Sequence, residues 1–216
     1  MTPRHLAPLL AAALLLPGCK KEDKPEAVRL DFAYYNPVSL LLREKRFLED
    51  DLARDGIKVE WTQSLGSNKA LEFLASRSID FGSTAGVAAL LARANGNPVK
   101  SVYVYSRPEW TALVTTPTSG IQTVADLRGK RVAVTRGTDP HIFLLRALDQ
   151  AGLSDKDVEI VPLQHPDGKN ALERGDVVAW SGLDPLMATT EAERGSKLFF
   201  RNPDWNTYGV LNVREE

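Results

Sequence analysis

The residues best suited to bind a ligand form a short Arg-Gly-Thr-Asp-Pro turn at residues 136–140. Residues 132–134 alternate as in a short strand, and apolar residues resume at helical spacing after the turn. Pro140 suits the start of a helix, and Thr138 or Asp139 can cap its free amides. Because those amides carry a partial positive charge, this strand-turn-helix corner predicts a binding site for an anion.

Three further corners of this kind are predicted in the first hundred residues. They place Pro37, Ser67 and Thr84 near a helix start, each shortly after a predicted strand. In doubly wound sheets such corners lie together at the carboxyl ends of the strands, where ligands bind. The four corners are therefore expected to form one binding site.

The apolar patterns predict two α/β lobes, each with a mostly parallel sheet flanked by helices. The first lobe is placed at residues 28–106 and the second at 107–203, with a return strand at 204–216. Hinge crossings are expected near residues 103–112 and 199–210. The predicted strands are at residues 28–34, 57–61, 79–81, 102–105, 110–115, 132–134, 158–163, 177–180, 198–200 and 208–213. The predicted helices are at 37–55, with Leu41, Leu48 and Leu52 facing inward, and at 68–75, 85–94, 140–151, 168–174 and 184–193.

The N-terminus has the pattern of an export signal. Its apolar run at residues 6–16 is too short to span a bilayer and has the length of a signal-peptide core, so residues 1–18 are predicted to be removed. Cys19 follows Gly18 as in the lipobox of bacterial lipoproteins, which predicts lipidation at Cys19; the alternative is an ordinary signal with an incidental cysteine. A single cysteine cannot form an internal disulfide. The charged residues 19–27 are predicted to be a tether.

The composition favours a globular protein with a small ligand. The 216 residues are 43% hydrophobic and 25% charged, enough for one large or two small cores. Loss of residues 1–18 removes Arg4 and no acidic residue, which leaves 26 basic against 28 acidic side chains, a net charge of about −2. This balance, with no basic block, argues against nucleic acid as a partner.

Little in the sequence supports catalysis. His5 leaves with the signal, His141 is predicted on a helix surface, and His165 in a loop. No Glu/His spacing suggests a metal, no GxSxG motif is present, and no cofactor is expected. An enzyme on the same fold remains an alternative to a binding protein.

Five stretches of the sequence together match a known pattern: IDFGSTAG (residues 79–86), VADLRGKRVAVTRGT (124–138), LLRALDQAGL (144–153), ALERGDVVAW (171–180) and GLDP (182–185). Together they resemble the aliphatic sulfonate-binding proteins, which belong with the taurine, nitrate and thiamine-precursor receptors among the solute-binding proteins of ABC importers. The resemblance extends from residue 28 to residue 216. It implies a two-lobed periplasmic-binding-protein fold of type II that closes over a small organic anion and delivers it to a membrane permease and its ATPase. It also implies a monomer, held at the membrane by its N-terminal lipid.

The resemblance also implies which residues contact the ligand. Hydroxyls and backbone amides suit the three oxygens of a sulfonate, which share one negative charge. An aspartate there would favour an amine-bearing solute such as taurine, although helix capping is the alternative for Asp139 and Asp184. Arg136 is either a counter-charge or a solvent-facing residue. The expected contacts are Ser67, Ser83, Thr84, Gly137 and Thr138, with Tyr35, Asn36, Trp110, Trp180 and Asp184 beside the organic tail; core packing is the alternative for the aromatic residues.

Two departures from the family pattern bear on the cleft and on stability. Val178 and Leu183 stand where the family has an aspartate and often an aromatic residue. Family members also continue for several tens of mostly helical residues after the segment matching residues 208–216, and without them an uncovered apolar surface is expected. Nitrate, taurine or a pyrimidine precursor remain alternative ligands, and a sensory binding lipoprotein remains an alternative role.

Overall fold

The computed structural model describes residues 24–215, which form an α/β fold. Its strands are β1 Ala27–Phe32, β2 Lys58–Gln63, β3 Gly82–Ala85, β4 Val99–Ser106, β5 Leu113–Thr115, β6 Arg131–Val134, β7 Glu159–Pro162, β8 Ala179–Ser181, β9 Lys197–Phe200 and β10 Gly209–Arg214. Its helices are α1 Pro37–Lys45, α2 Phe47–Leu52, α3 Ser67–Ala75, α4 Gly86–Ala94, α5 Asp139–Gln150, α6 His165–Arg174 and α7 Leu186–Arg194. The predicted α/β class is confirmed.

The strands form three sheets whose directions are more mixed than expected. β1 and β2 are parallel, whereas β10 lies antiparallel between β3 and β4. The third sheet has the order β7-β6-β8-β5-β9, in which β6 pairs parallel with β7 and β8 while β5 pairs antiparallel with β8 and β9. Every antiparallel pair contains β5 or β10, the two strands that directly follow a crossing between the sheets.

Two connections join the sheets. We call β1–β4, β10 and α1–α4 the first half, and β5–β9 and α5–α7 the second half. The chain passes from β4 to β5 through residues 107–112 and returns from β9 to β10 through residues 201–208. The two connections are bound to each other, because Asn206 Oδ1 accepts the amides of Trp110 and Thr111 at 3.0 and 2.9 Å. The lobe boundaries drawn from the sequence remain a prediction.

The corner at residues 136–140 is held by a buried strand and a buried helix face. Val132 and Val134 of β6 are fully buried, and α5 buries Phe143 and Leu144 against the same core. Full burial of one such side chain contributes about 1.5–3 kcal/mol. This packing fixes the N-terminus of α5 at the carboxyl end of β6, as the sequence predicted.

The first predicted helix is broken, and Leu41 was wrongly assigned to its inner face, whereas Leu48 and Leu52 are half-buried. Arg46 adopts a left-handed conformation with φ 55° and separates α1 from α2. Leu41 is 54% exposed, so it does not face the core, whereas Ser39 is buried. Gly56, with φ 74°, ends the short 3-10 turn that follows α2, as expected for a glycine exit.

The second and third corners are each shifted by a few residues. Gly66, rather than Ser67, is the cap position of α3, and Ser67 is the first helical residue. The strand predicted at residues 79–81 is found a few residues later, as β3. The backbone amides of Asp80 and Phe81 donate to the carbonyl of Arg29, and the hydrogen-bond ladder to β10 begins only at Gly82. Ser83 and Thr84 therefore lie within a strand and not at a helix cap.

An apolar surface lies on the edge strand β4. Val102, Tyr103 and Val104 are each more than half exposed, so both faces of this strand meet solvent.

The predicted signal peptide and the lipidation site Cys19 lie outside residues 24–215. Within that range, no helix has both the length and the apolar character needed to cross a membrane.

Candidate ligand-binding cleft between the two halves

A small cavity lies between the two halves of the molecule. Its volume of about 10 Å³ is enough for roughly one water molecule, so the walls lie close together in this conformation. Both halves and the first crossing contribute to it. The lining residues are Tyr35, Ser67, Ala85, Trp110, Thr138, Asp139, Pro140, His165 and Leu183.

Most of these residues lie at or just beyond the carboxyl end of a strand. Tyr35 follows β1, Ser67 follows β2 and Ala85 ends β3, while Thr138 follows β6 and His165 follows β7. Parallel strands bring such corners to one edge of a sheet, where ligands bind in α/β proteins. The four predicted corners therefore do converge, and the corner after β7 joins them.

Three helices begin at the cavity. Ser67 is the first residue of α3, Asp139 of α5 and His165 of α6. The helices contain 9, 12 and 10 residues, and the first amides of each have no carbonyl of a preceding helical turn to bond to. Pro140 and Pro166 leave α5 and α6 with one N–H fewer than α3 at this end. Their partial positive charges add at one place, which favours a negatively charged group there.

The two predicted hydroxyls at the cavity are used differently. Ser67 Oγ accepts the amide of Ala85 at 2.9 Å, which leaves its hydrogen to be donated to a ligand. Thr138 Oγ1 instead donates to the carbonyl of Thr135 at 2.6 Å. Thr138 is the cap position of α5, but its side chain makes no capping hydrogen bond. Of these two hydroxyls, only that of Ser67 can donate to an anion without breaking an internal bond.

Asp139 connects the cavity to both crossing segments. Its carboxylate accepts the indole N–H of Trp110 at 2.6 Å, the amide of Thr207 at 2.9 Å and the hydroxyl of Thr207 at 2.9 Å. Burial raises the pKa of this carboxyl, and the three hydrogen bonds oppose that rise. The carboxylate is therefore occupied by donors of the two crossing segments rather than aimed at a ligand or used as a helix cap.

Ser83, Thr84 and Asn36 do not line the cavity. Ser83 Oγ accepts Asn36 Nδ2 at 2.9 Å, on the side of β3 that faces β1. Thr84 Oγ1 accepts Asn212 Nδ2 at 2.8 Å, on the opposite side. Successive residues of a strand point to opposite faces, so the placement of these residues in β3 separates them from each other and from the cavity. The three side chains bind other parts of the protein.

A buried carboxylate that the sequence analysis missed lies beside Ser83. Asp31 accepts the Ser64 hydroxyl at 2.6 Å and the Ser83 amide at 2.7 Å, and burial raises its pKa to about 6. It borders a second cavity of about 140 Å³ together with Asn36 and Tyr105. The alternation of β1 assigns Asp31 to the outer face, but α1 lines that same cavity and covers it.

Trp180, Gly137 and Arg136 are also outside the cavity. Trp180 is fully buried in a core cluster with Leu172 and Met187, which is the packing alternative considered for it. Gly137, with φ 75°, makes the turn possible but lies on the outer side, and Arg136 is exposed.

The aromatic residues Tyr35 and Trp110 separate the cavity from a wider outer groove of about 300 Å³. Their rings meet edge to face, with centroids 6.5 Å apart. Asp184 lies in the outer groove, where its Oδ1 accepts the amide of Ala188 at 3.3 Å near the start of α7. Burial raises the pKa of Asp184. The capping role expected for Asp184 fits this contact.

The sequence analysis also missed His165 and Gly66. His165 is fully buried, neither ring nitrogen has a hydrogen-bond partner within residues 24–215, and burial lowers its pKa to about 3. A Cβ on Gly66 would stand 2.8 Å from Asn68 Oδ1 and 3.3 Å from His165 Nε2, so the two halves meet closely here. A loop-like sequence around His165 carries no signal that the opposite half would bury it.

In the described part of the chain, no group of three or more His, Cys, Asp or Glu side chains could hold a metal ion. The cavity walls instead combine helix N-termini, one available hydroxyl, one imidazole and two aromatic rings.

The chain is similar to known solute-binding proteins. The putative aliphatic sulfonates-binding protein of Escherichia coli (strain K12) is 32% identical over 189 residues, which are 87% of this chain and 59% of that protein. The alkanesulfonate-binding protein SsuA from Xanthomonas axonopodis pv. citri, solved bound to MOPS, is 27% identical with a TM-score of 0.82 over 89% of this chain and 66% of that one. The periplasmic aliphatic sulphonate binding protein SsuA from Escherichia coli is 30% identical with a TM-score of 0.73, over 89% and 62%.

These relatives are binding proteins by name and not enzymes, and the resemblance inferred from the sequence is confirmed, together with the binding-protein type of fold. The chain spans about three fifths to two thirds of their length. A family model described as NMT1/THI5 like matches residues 52–212, which are most of the chain. The chain therefore belongs to the NMT1/THI5-like family.

Proposed function

We propose that this protein is the solute-binding component of an ABC importer and that it captures a small organic anion, an aliphatic sulfonate, between its two halves. The observation that carries the proposal is the meeting of three helix N-termini, those of α3, α5 and α6, at one cavity. The names of the similar proteins support the same ligand class.

The charges around the cavity favour a monoanion over a dianion. None of its lining residues is a lysine or arginine, and Asp139 adds a carboxylate that repels a second negative charge. A sulfonate spreads one charge over three oxygens, so hydroxyls and amides can satisfy it without a cation. Sulfate and doubly charged phosphonates are therefore expected to bind more weakly than alkanesulfonates.

We expect the organic tail of the ligand to lie in the outer groove. Tyr35 and Trp110 border both the cavity and this groove, so their apolar rings would lie directly beside the proposed anion site. A ligand with its head in the cavity would extend its tail past these rings. Such a ligand is larger than the present cavity, so the halves must open to admit it.

Opening and closing are expected to use the two crossing segments. The cavity receives Ser67 from the first half and His165 from the second, so a ligand that contacts both stabilises the closed form. The contacts of Asp139 and Asn206 hold the two segments together during that motion.

The cellular role follows from the same proposal. The N-terminal signal directs export, lipidation of Cys19 anchors the chain to the membrane, and the protein acts as a monomer in the periplasm or at the cell surface. The permease and ATPase of the importer are its partners, and it performs no chemical step on the solute.

The experiment that tests the proposal is thermal unfolding of the purified protein with a panel of solutes. Ethanesulfonate, butanesulfonate and MOPS represent sulfonates, while taurine, sulfate, nitrate and a thiamine-type pyrimidine represent the alternatives. A ligand at 100 times its Kd stabilises the folded state by about 2.7 kcal/mol. Selective stabilisation by sulfonates supports the proposal, and a response to none of the sulfonates contradicts it. Stabilisation by taurine alone would indicate that a carboxylate of the cleft binds an amine.

A further inference from the structure

The least explained group in the cavity is the imidazole of His165. We propose that His165 contacts the ligand directly and donates a neutral N–H hydrogen bond to an oxygen of the bound anion. This inference rests on the proposed function and assigns one donor of that site to a residue of the second half.

The position of His165 supports this role. It is the first residue of α6 and lines the same cavity as Ser67, which is the first residue of α3 in the other half. An anion between them would accept one hydrogen bond from each half. Such a bridge favours the closed form, because the opening of the halves would break one of the two bonds.

The imidazole is fully buried and both of its nitrogens lack a partner within the described residues. A buried polar group without a partner costs free energy. An apolar side chain of similar size would pack here without that cost. A ligand oxygen would remove the cost in another way, because it would accept a hydrogen bond from the imidazole N–H.

The first half approaches the imidazole closely at Gly66, the residue before Ser67. Gly66 has no side chain, and a Cβ there would lie within 3.3 Å of both Asn68 Oδ1 and His165 Nε2. Asn68 Oδ1 is also without a partner in the described part of the chain. Two polar atoms without a partner among the described residues, one from each half, thus lie on either side of Gly66.

The charge of the imidazole fits a monoanion. The titratable groups that share the cavity with His165 are Asp139 from α5 and Tyr35 from the segment after β1. The nearby side chains of Asn68 in α3 and Gln164 before α6 are amides and carry no charge. Burial lowers the pKa of His165 to about 3, so the ring is neutral at pH 7 and has one donor nitrogen and one acceptor nitrogen. A neutral donor adds to the helix N-termini without placing a full positive charge beside Asp139.

The test compares His165→Gln, which retains a neutral N–H donor, with His165→Leu, which removes it. Ethanesulfonate binding to the purified protein is measured by calorimetry, with His141→Gln as the matched control, because His141 is outside the cavity lining. His165→Leu is expected to weaken binding at least tenfold and His165→Gln by less than about threefold. The control should bind as the wild type does.

A second readout follows the imidazole of the wild-type protein. The side-chain 15N resonances of His165, assigned by comparison with His165→Gln, should show a neutral ring at pH 7 and should shift as ethanesulfonate is added. This readout does not depend on whether His165→Leu folds.

Each outcome decides the matter. Unchanged affinity in His165→Leu, or 15N resonances of His165 that do not respond to a bound sulfonate, would overturn the inference while leaving the proposed function intact. A ring that becomes protonated on binding would also overturn it, because the donor would then be cationic. If the wild type binds no sulfonate, both proposals fail together.

Discussion

Trp110 donates its indole N–H to the carboxylate of Asp139 at 2.6 Å, and this bond joins the first crossing segment to the N-terminus of α5. Thr207 of the second crossing donates to the same carboxylate through its amide and its hydroxyl. One aspartate therefore holds both crossing segments against the second half. The carboxylate borders the cavity, yet these hydrogen bonds all come from the crossing segments.

Replacement of Asp139 by alanine should destabilise the fold. The change removes three hydrogen bonds to a buried carboxylate and leaves the Trp110 and Thr207 donors unpaired, at a cost of about 2–4 kcal/mol. Urea unfolding of the purified protein measures this loss. Thr207→Val is the comparison: it removes the bond from the hydroxyl to Asp139 and the 3.3 Å bond that the hydroxyl accepts from the amide of Val87, and it should cost about 1–2 kcal/mol. Equal stability of Asp139→Ala and the wild type would contradict the role of Asp139 in holding the two crossing segments.

Asp31 should make stability depend on pH. Burial raises the pKa of Asp31 to about 6 from its ordinary value of 3.8, so between these values the folded state binds more protons than the unfolded state. The free energy of unfolding therefore falls as pH rises through this window and stays lower above it. The difference of about two pKa units between the folded and unfolded states corresponds to about 3 kcal/mol in the free energy of unfolding.

Asp31→Asn tests this dependence, because an amide retains an acceptor for the Ser83 amide and donates to the Ser64 hydroxyl. At pH 7.5 the variant should be more stable than the wild type, by up to about 3 kcal/mol, and the difference should disappear near pH 4. Urea unfolding at four pH values measures it. The control is Asp50→Asn, at an exposed aspartate, which should leave the wild-type profile unchanged. An Asp31→Asn profile parallel to that of the wild type would show that Asp31 does not titrate in this window.

Ser67→Ala should weaken sulfonate binding. The Ser67 hydroxyl accepts from Ala85 and can donate to the ligand, so its loss is expected to reduce affinity about tenfold, or roughly 1.4 kcal/mol. Ser83→Ala is the matched control, because the Ser83 hydroxyl binds Asn36 away from the cavity. The affinity of this variant for ethanesulfonate should equal that of the wild type. Calorimetry with ethanesulfonate measures both. An equal loss in the two variants would move the anion site toward β3, where the sequence analysis had placed part of it.

Gly66→Ala should also reduce affinity without a large loss of stability. The backbone of Gly66 is extended, with φ 171°, so alanine is tolerated there, but its Cβ would press on Asn68 and narrow the gap beside His165. We expect a fall of at least tenfold in ethanesulfonate affinity and a change of less than about 1 kcal/mol in the free energy of unfolding. Gly86→Ala, whose Cβ would meet only ordinary contacts of 3.5 Å or more, is the control. Wild-type affinity in Gly66→Ala would show that the ligand does not use this gap.

Much of the fold could be predicted locally. The corner at residues 136–140 was placed correctly because β6 and α5 differ in apolar period and a glycine and a proline separate them. The break at Arg46 was not predicted, because nothing in the residue types marks a left-handed conformation there.

The side chains of the site were harder to predict. Ser83 and Thr84 look like a helix cap in the sequence, but β10, which arrives more than 120 residues later, pairs with them and turns Gly82–Ala85 into a strand. Asp31 looks like a surface residue until α1 and Ser64 are packed around it. These placements depend on contacts between distant segments, which local patterns do not contain.

The sequence by itself determined the α/β class and the presence of helix N-termini suited to an anion, because periodicity, caps and turn residues act over a few neighbours. The family was indicated separately, by the resemblance of five stretches to known proteins. The tertiary structure alone decided which groups meet at those N-termini. It brought Ser67 and His165 together from opposite halves, buried the imidazole with no partner among residues 24–215 and turned Ser83 and Thr84 away. The reason is physical: side-chain direction and burial follow from strand pairing and from closure of the two halves, and both join residues far apart in the chain.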